Sequence, residues 1–111
     1  MRKLYVVKKQ QDFDRIIKKG QIKKNNSYVI YYDKNDFPYD RFGISVGKRI
    51  GNAVNRNKYK RKLRAIIDNY KKHYVNSQDY IIILRESAKN KDYHELEKNF
   101  LFLMNSIRKD M

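Results

Sequence analysis

Residues 43–64 read Gly-Ile-Ser-Val-Gly-Lys-Arg-Ile-Gly-Asn-Ala-Val-Asn-Arg-Asn-Lys-Tyr-Lys-Arg-Lys-Leu-Arg, and their pattern changes period half-way. The first part belongs to a stretch, 41–47, in which Phe42, Ile44 and Val46 alternate with Gly43, Ser45 and Gly47. Such alternation makes a strand with one apolar face. The other face is small enough to imply close approach by a helix or a ligand backbone. Gly51-Asn52 then breaks the strand, Asn52 serves as an N-cap, and a long helix is predicted to run to about Tyr74. Within it Tyr59, Leu63, Ile66 and Tyr70 recur at i, i+4, i+7 and i+11 and form the face that packs on a core.

The same helix is cationic, and its charges are ordered. Residues 48–64 hold eight Lys/Arg and no acid. At 100° per residue, Arg56, Lys60 and Arg64 stack on one face, and Asn57 and Arg61 widen the stripe. A helix that packs with one side and offers a guanidinium and ammonium row with the next is built to hold phosphates. Lys58 and Lys62 fall on the far side and read as solvated.

Towards the N-terminus, 10–19 reads as a short helix with Phe13, Ile16 and Ile17 on one face and Gly20 where a C-cap belongs. Residues 27–32, Ser-Tyr-Val-Ile-Tyr-Tyr, are β-formers whose faces carry Tyr28/Ile30/Tyr32 and Val29/Tyr31. Residues 33–40 are turn chemistry around the only proline. Towards the C-terminus, 78–84 is the continuous apolar run of a central strand buried on both faces. Asp92 with Glu95 starts a last helix on Leu96, Phe100, Leu103 and Ile107. The order is α-β-β-α-β-α, an α+β fold in one domain, 1–111, with the basic helix crossing between two parallel strands.

The 111 residues include 27 Lys/Arg against 12 Asp/Glu, a net charge of +15. That excess repels itself in a compact state and calls for a polyanionic partner. Aromatics are 14% of the chain, too many for a disordered basic tail. Cysteine is absent, which excludes disulfides and thiolate metal sites. There is neither a membrane span nor a secretory h-region, so a cytoplasmic location is expected, with no membrane partner.

Catalytic chemistry is thin. General acid–base cleavage of RNA draws on histidines or on clustered carboxylates holding metal. His73 and His94 have no HxxxH neighbourhood and read as surface residues; Asp33, Asp36 and Asp40 lack the EF-hand spacing and read as a solvated turn. Gly47 and Gly51 are not followed by the Gly-Lys-[Ser/Thr] of a phosphate-binding loop. On its own residues the chain binds and does not cut. Periodicity assigns Tyr28, Tyr59, Tyr70, Phe42 and Phe100 to the core. It assigns Phe13 and Tyr31 to packing first, with a groove that stacks single-stranded bases as the second reading.

The run 43–64 resembles the hallmark of the bacterial ribonuclease P protein component, Ser-Val-x-Lys-[Lys/Arg]-x-Gly-x-Ala-Val-x-Arg-Asn-x-x-Lys-Arg-x-x-Arg. Ser45, Lys48, Gly51, Ala53, Val54, Arg56, Asn57, Lys60, Arg61 and Arg64 match, and the likeness extends over nearly the whole chain. The resemblance implies a two-layer α-β sandwich with a left-handed β-α-β crossover, against the usual hand. It implies a subunit of a tRNA-processing endonuclease that removes the 5′ leader, with the hydrolysis carried by a catalytic RNA and its Mg²⁺. It places the RNA subunit on Lys48, Arg49, Asn52, Arg56, Asn57, Lys58, Lys60, Arg61 and Arg64. It places the single-stranded leader of precursor tRNA in a cleft of Phe13, Ile17, Tyr31, Ser45, Lys60 and Arg64, which moves Phe13 and Tyr31 out of the core.

Two positions depart from the family pattern. Ile17 stands where relatives often have a second cleft aromatic. Lys58 replaces a commoner Arg, keeping the charge and losing the bidentate fork. Two other readings compete: a small basic RNA-binding protein of the ribosome, and a DNA-binding module with the basic helix in a major groove. DNA is not the expected partner.

Overall fold

The computed structural model describes residues 2–111. Helix α1 (Gln10–Lys19) leads into β1 (Gln21–Lys24), β2 (Tyr28–Lys34), β3 (Arg41–Val46), α2 (Ala53–Lys71), β4 (Gln78–Leu84) and α3 (Tyr93–Lys109). The strands form one sheet in the order β1-β2-β4-β3. β2 is antiparallel to β1 and to β4, and β3 runs parallel to β4. Helix α2 is therefore the crossover between two adjacent parallel strands, as the sequence predicts.

Asn52 caps α2, its side chain accepting the Asn55 amide at 3.0 Å, and Asp92 caps α3 by accepting the Glu95 amide at 2.9 Å. α2 ends at Lys71 and not near Tyr74. The Lys72 and His73 amides fold back on the Asn69 and Tyr70 carbonyls, a tightened last turn. The buried Asp40 carboxylate then collects the Asn76 and Gln78 amides and sets the start of β4.

β1 has no counterpart in the sequence reading. Its four residues hold one apolar side chain, too little to show alternation. It forms because Asn25 accepts the amides of Ser27 and Tyr28, both at 3.0 Å, and so turns the chain back along β2.

One face of the sheet carries the main core. Tyr28, Ile30 and Tyr32 of β2, Phe42 and Val46 of β3, and Tyr80, Ile82 and Leu84 of β4 pack on Leu63, Ile66, Ile67 and Tyr70 of α2 and on Leu96, Phe100, Leu103, Met104 and Ile107 of α3. These two layers are the body of the fold. Tyr59 packs on this core but is only partly buried, and its hydroxyl accepts the Asn90 amide.

The opposite face is covered by α1 and, at the β3 edge, by the N-terminal segment. There Ile16 is buried with Val7 and Ile81, and Phe13, Tyr31 and Ile83 pack around them. Gly20 ends α1 with an ordinary negative φ. Glycine is needed there for room, since a Cβ would lie 2.3 Å from the Ile16 carbonyl oxygen and 2.7 Å from that of Tyr32.

Candidate RNA-binding site

The register of the sheet lays out the α1 face in rows. Arg41, Asp79 and Asp33 pair across one row; Gly43, Ile81, Tyr31 and Ile22 make the next; Ser45, Ile83, Val29 and Lys24 the third. Helix α1 crosses these strands with two different flanks. Asp12 and Arg15 lie on one, Phe13 and Ile17 on the other, because residues four apart share a face.

The Arg15 flank is locked. Arg15 donates to Asp33 at 2.6 Å and to Asp79 at 2.7 Å. Arg41 grips the same Asp79 through two hydrogen bonds, Nε to Oδ1 at 2.8 Å and Nη2 to Oδ2 at 2.6 Å, and Asn35 adds another at 2.9 Å. Asp79 is fully buried. Burial alone raises a carboxyl's pKa, but the hydrogen bonds from Arg41, Asn35 and Arg15 outweigh it and hold Asp79 below the usual carboxylate range. This network fixes the height of α1 over the sheet. Sequence reading missed it, because its members come from four separate segments; the only local signal was an acidic residue opening an otherwise apolar run.

The Phe13 flank is open. Phe13 and Tyr31 are half-buried and Ile17 is 43% exposed, so Ile17 lies on the open flank with Phe13 and not beside the buried Ile16. Ser45 and Ile83 are half-buried in the third row, Ile83 packing against the cluster beneath α1. At the β3 edge a pocket of about 220 Å³ is lined by Phe13, Gly43, Ile44, Val6 and Val7 and by two cations of α2, Lys60 and Arg64. Val6 and Val7 form its wall because the N-terminal segment bridges β3, the Val7 amide donating to the Phe42 carbonyl at 3.0 Å. Tyr5 anchors that segment under Lys71, whose Nζ lies 3.3 Å from the ring centroid. The structure thus brings Phe13, Lys60 and Arg64 to one pocket, with Tyr31, Ile17 and Ser45 on adjoining surface of the same sheet face.

The cationic stripe of α2 divides around Arg64. Arg56 and Lys60 border the packed face and are partly buried. The Arg56 Nε is buried and has no hydrogen-bond partner among the described residues. On the other side Asn57, Arg61 and Arg64 surround Val54, which is 63% exposed, in a shallow second depression. Lys48 and Arg49, in a 3-10 turn (Lys48–Ile50), and Asn52 are exposed beside the helix start. Lys58 is solvated as expected. Lys62 is not, since it lies only 60° round the helix from Tyr59 and covers that ring at 5.4 Å.

Asp33 and Asp40 are committed to Arg15 and to backbone amides, so the 33–40 turn is built by internal bonds. Among the described residues no three His, Cys, Asp or Glu side chains stand close enough to share a metal ion.

Comparison with known proteins converges on one family. The sequence profile of the ribonuclease P family matches residues 1–108. The ribonuclease P protein component of Streptococcus equi subsp. equi is 42% identical over 99 residues, which cover 89% of this chain and 82% of that protein. The RNase P protein of Staphylococcus aureus superposes with a TM-score of 0.86 at 36% identity, over 93% of this chain and 94% of that one. That of Thermotoga maritima gives 0.82 at 30% identity, over 87% and 92%. With profile, sequence and structure in agreement, the chain belongs to the ribonuclease P protein family, the protein component of the tRNA-processing endoribonuclease.

Proposed function

We propose that this subunit divides its basic surface between two RNAs. The catalytic RNA of ribonuclease P is held by Lys48, Arg49, Asn52, Arg56, Asn57, Lys58 and Arg61. The single-stranded 5′ leader of precursor tRNA lies in the cleft of Phe13, Ile17, Tyr31 and Ser45. Lys60 and Arg64 serve both.

The observation that carries this reading is the position of Arg64, which lines the aromatic pocket with Phe13 and also the outer depression with Asn57 and Arg61. One residue on the boundary of two cationic concavities is the geometry of a bridge between two polyanions. Apolar walls facing two cations suit an unpaired nucleotide, whose base stacks while its phosphate is neutralised. The outer depression offers a rigid amide between guanidinium groups, suited to the backbone of a folded RNA.

In this reading the RNA subunit and its Mg²⁺ carry out the hydrolysis. The protein's part is to neutralise phosphates and hold the leader in register. Asp33, Asp40 and Asp79 do not fit a tight Mg²⁺ site, because their carboxylates are already hydrogen-bonded internally. The place of action is the cytoplasm, in keeping with described helices of which none is long and apolar enough to cross a membrane.

Reconstitution tests the assignment. Rigorously RNA-free protein should leave precursor tRNA intact, and protein added to the catalytic RNA should lower the Mg²⁺ needed for cleavage at the mature 5′ end. Specific cleavage by the protein alone would overturn the division of labour.

A further inference from the structure

We propose that the leader groove does not end at Tyr31 but continues across β1, where Ile22 and Lys24 form a further subsite for single-stranded RNA. The inference rests on the leader reading of the Phe13–Tyr31 cleft and extends it to a strand that sequence reading did not detect.

The register carries the argument. Ile22 pairs with Tyr31, and Lys24 pairs with Val29, so both β1 side chains belong to the face that carries Tyr31. The third row, half-buried at Ser45, Ile83 and Val29 and exposed at Lys24, then runs through all four strands. At ~4.8 Å per strand the floor is about 14 Å wide, more than one stacked base covers. The wall continues too. Ile17 lies one turn beyond Phe13 on the open flank of α1, and the chain passes through Gly20 directly into β1.

Exposure and charge single out these two positions. Ile22 is 51% exposed and Ile17 43%, two isoleucines left open on a chain with ample polar residues. The adjacent lysines are used differently. Lys23 points to the other face, where it donates to Ser106 at 3.0 Å and pairs with Asp110. Lys24 is exposed on the groove face and pairs with no carboxylate among the described residues. An apolar contact followed by an unpaired ammonium repeats, on a smaller scale, the Phe13 and Lys60 arrangement of the edge pocket. Its ligand is therefore the next segment of the same strand, with the ribose or base against Ile22 and a phosphate on Lys24. A lysine on an edge strand also discourages strand pairing between molecules, but that role leaves the open Ile22 unexplained and predicts no dependence on leader length.

The test uses holoenzyme reconstituted with catalytic RNA, and precursor tRNAs whose leaders grow one nucleotide at a time. Ile22→Ser, Lys24→Ala and the double variant are compared with Phe13→Ala, with thermal melting recorded for each. The expected result is wild-type affinity with short leaders and a loss of roughly five-fold or more in the double variant above a threshold length. That threshold should exceed the one at which Phe13→Ala first shows its loss. Lys24→Ala should also flatten the salt dependence by ~0.7 in the log–log slope, as for one contact to a single strand. A loss for Phe13→Ala alone overturns the β1 subsite and keeps the cleft. No loss for any variant overturns both, and a loss for the β1 variants alone overturns the continuous groove, since the Phe13 cleft would then hold no leader. Equal loss at every leader length, one nucleotide included, assigns β1 to folding and overturns the subsite.

Discussion

The Phe13 ring rests on the α-carbon of Gly43, so closely that a Cβ there would stand 2.7 Å from Phe13 Cζ and 2.9 Å from Ile81 Cδ1. Both atoms are side-chain ends, so Gly43→Ala is relieved by displacing the ring, at a cost of ~1–3 kcal/mol for overpacking. The variant should therefore reproduce the leader defect of Phe13→Ala while binding the catalytic RNA normally. Denaturant unfolding beside affinity for long-leader and one-nucleotide-leader substrates measures both effects. A destabilised protein with unaltered leader preference would show that the seat of the ring is immaterial.

That contact also shows how far the sequence could be read. The bare face of Gly43, Ser45 and Gly47 signalled close approach, and α1 does approach at Gly43; Gly47, in the same pattern, has nothing within 4 Å of a Cβ. The alternation of β3, the buried run of β4 and the Asn52 cap were legible because each is local. β1 was not, since its one apolar side chain makes no period and its existence depends on the β2 edge. The cationic stripe was legible as a face, but not its division between two concavities, which depends on where Phe13 and the Val6–Val7 segment come to rest. Lys62 was misplaced because a helical wheel gives direction and not the reach of a lysine stem along a neighbouring ring.

The Asp79 network should dominate the stability of the α1 layer. Asp79→Ala leaves Arg15 and Arg41 without their shared buried partner, with Asp33 and Asp12 still facing them, and loss of such charged hydrogen bonds costs ~1.5–3 kcal/mol. The acid side follows from the sign of the shift. A carboxyl held below its ordinary value adds stability that is complete above the unfolded pKa of ~3.9 and is lost as pH falls through the folded value. Asp40 acts oppositely: burial raises it, against the Gln78 and Asn76 amides, so its contribution fades as pH rises through that raised value. Unfolding free energy measured from about pH 2 to 7 should thus show a shallower acid limb in Asp79→Asn than in the parent. An identical limb would mean other carboxylates set it.

Arg61, Arg64 and Phe13 should separate the two RNAs. Arg61 lines only the outer depression, Phe13 only the aromatic pocket, and Arg64 both. Arg61→Ala should weaken catalytic-RNA binding alone, and Arg64→Ala should weaken both RNA and long-leader substrate. Each lost phosphate contact flattens the slope of log K against log [salt] by ~0.7–0.9. Lys58→Ala should do least. Lys62→Ala should act through the packing of Tyr59, seen as a lower melting temperature with an unchanged salt slope. Equal slopes for Arg61, Arg64, Lys58 and Lys62 variants would mean that the charge acts diffusely.

The cleft assignment itself turns on Phe13→Ala and Tyr31→Ala. Both rings are half-buried on a small cluster of Val7, Ile16 and Ile81, and neither belongs to the main core between the sheet and α2 and α3. Truncating them should therefore cost less stability than the ~3–5 kcal/mol of a core phenylalanine such as Phe100. Base–aromatic stacking contributes ~1–3 kcal/mol per base, so precursor-tRNA affinity should fall by roughly ten-fold in each variant. The loss should appear only when the leader reaches the cleft and vanish with a one-nucleotide leader, because the mature tRNA body does not touch these rings in the proposed arrangement. Catalytic-RNA affinity should stay within two-fold of wild type, about 0.4 kcal/mol, since Asn57 and Arg61 lie on the other side of Arg64. The packing alternative predicts the reverse: a large drop in melting temperature and a loss shared by every substrate. Melting curves read beside leader-length affinity decide between them, and a uniform loss across leader lengths returns both residues to a purely structural role.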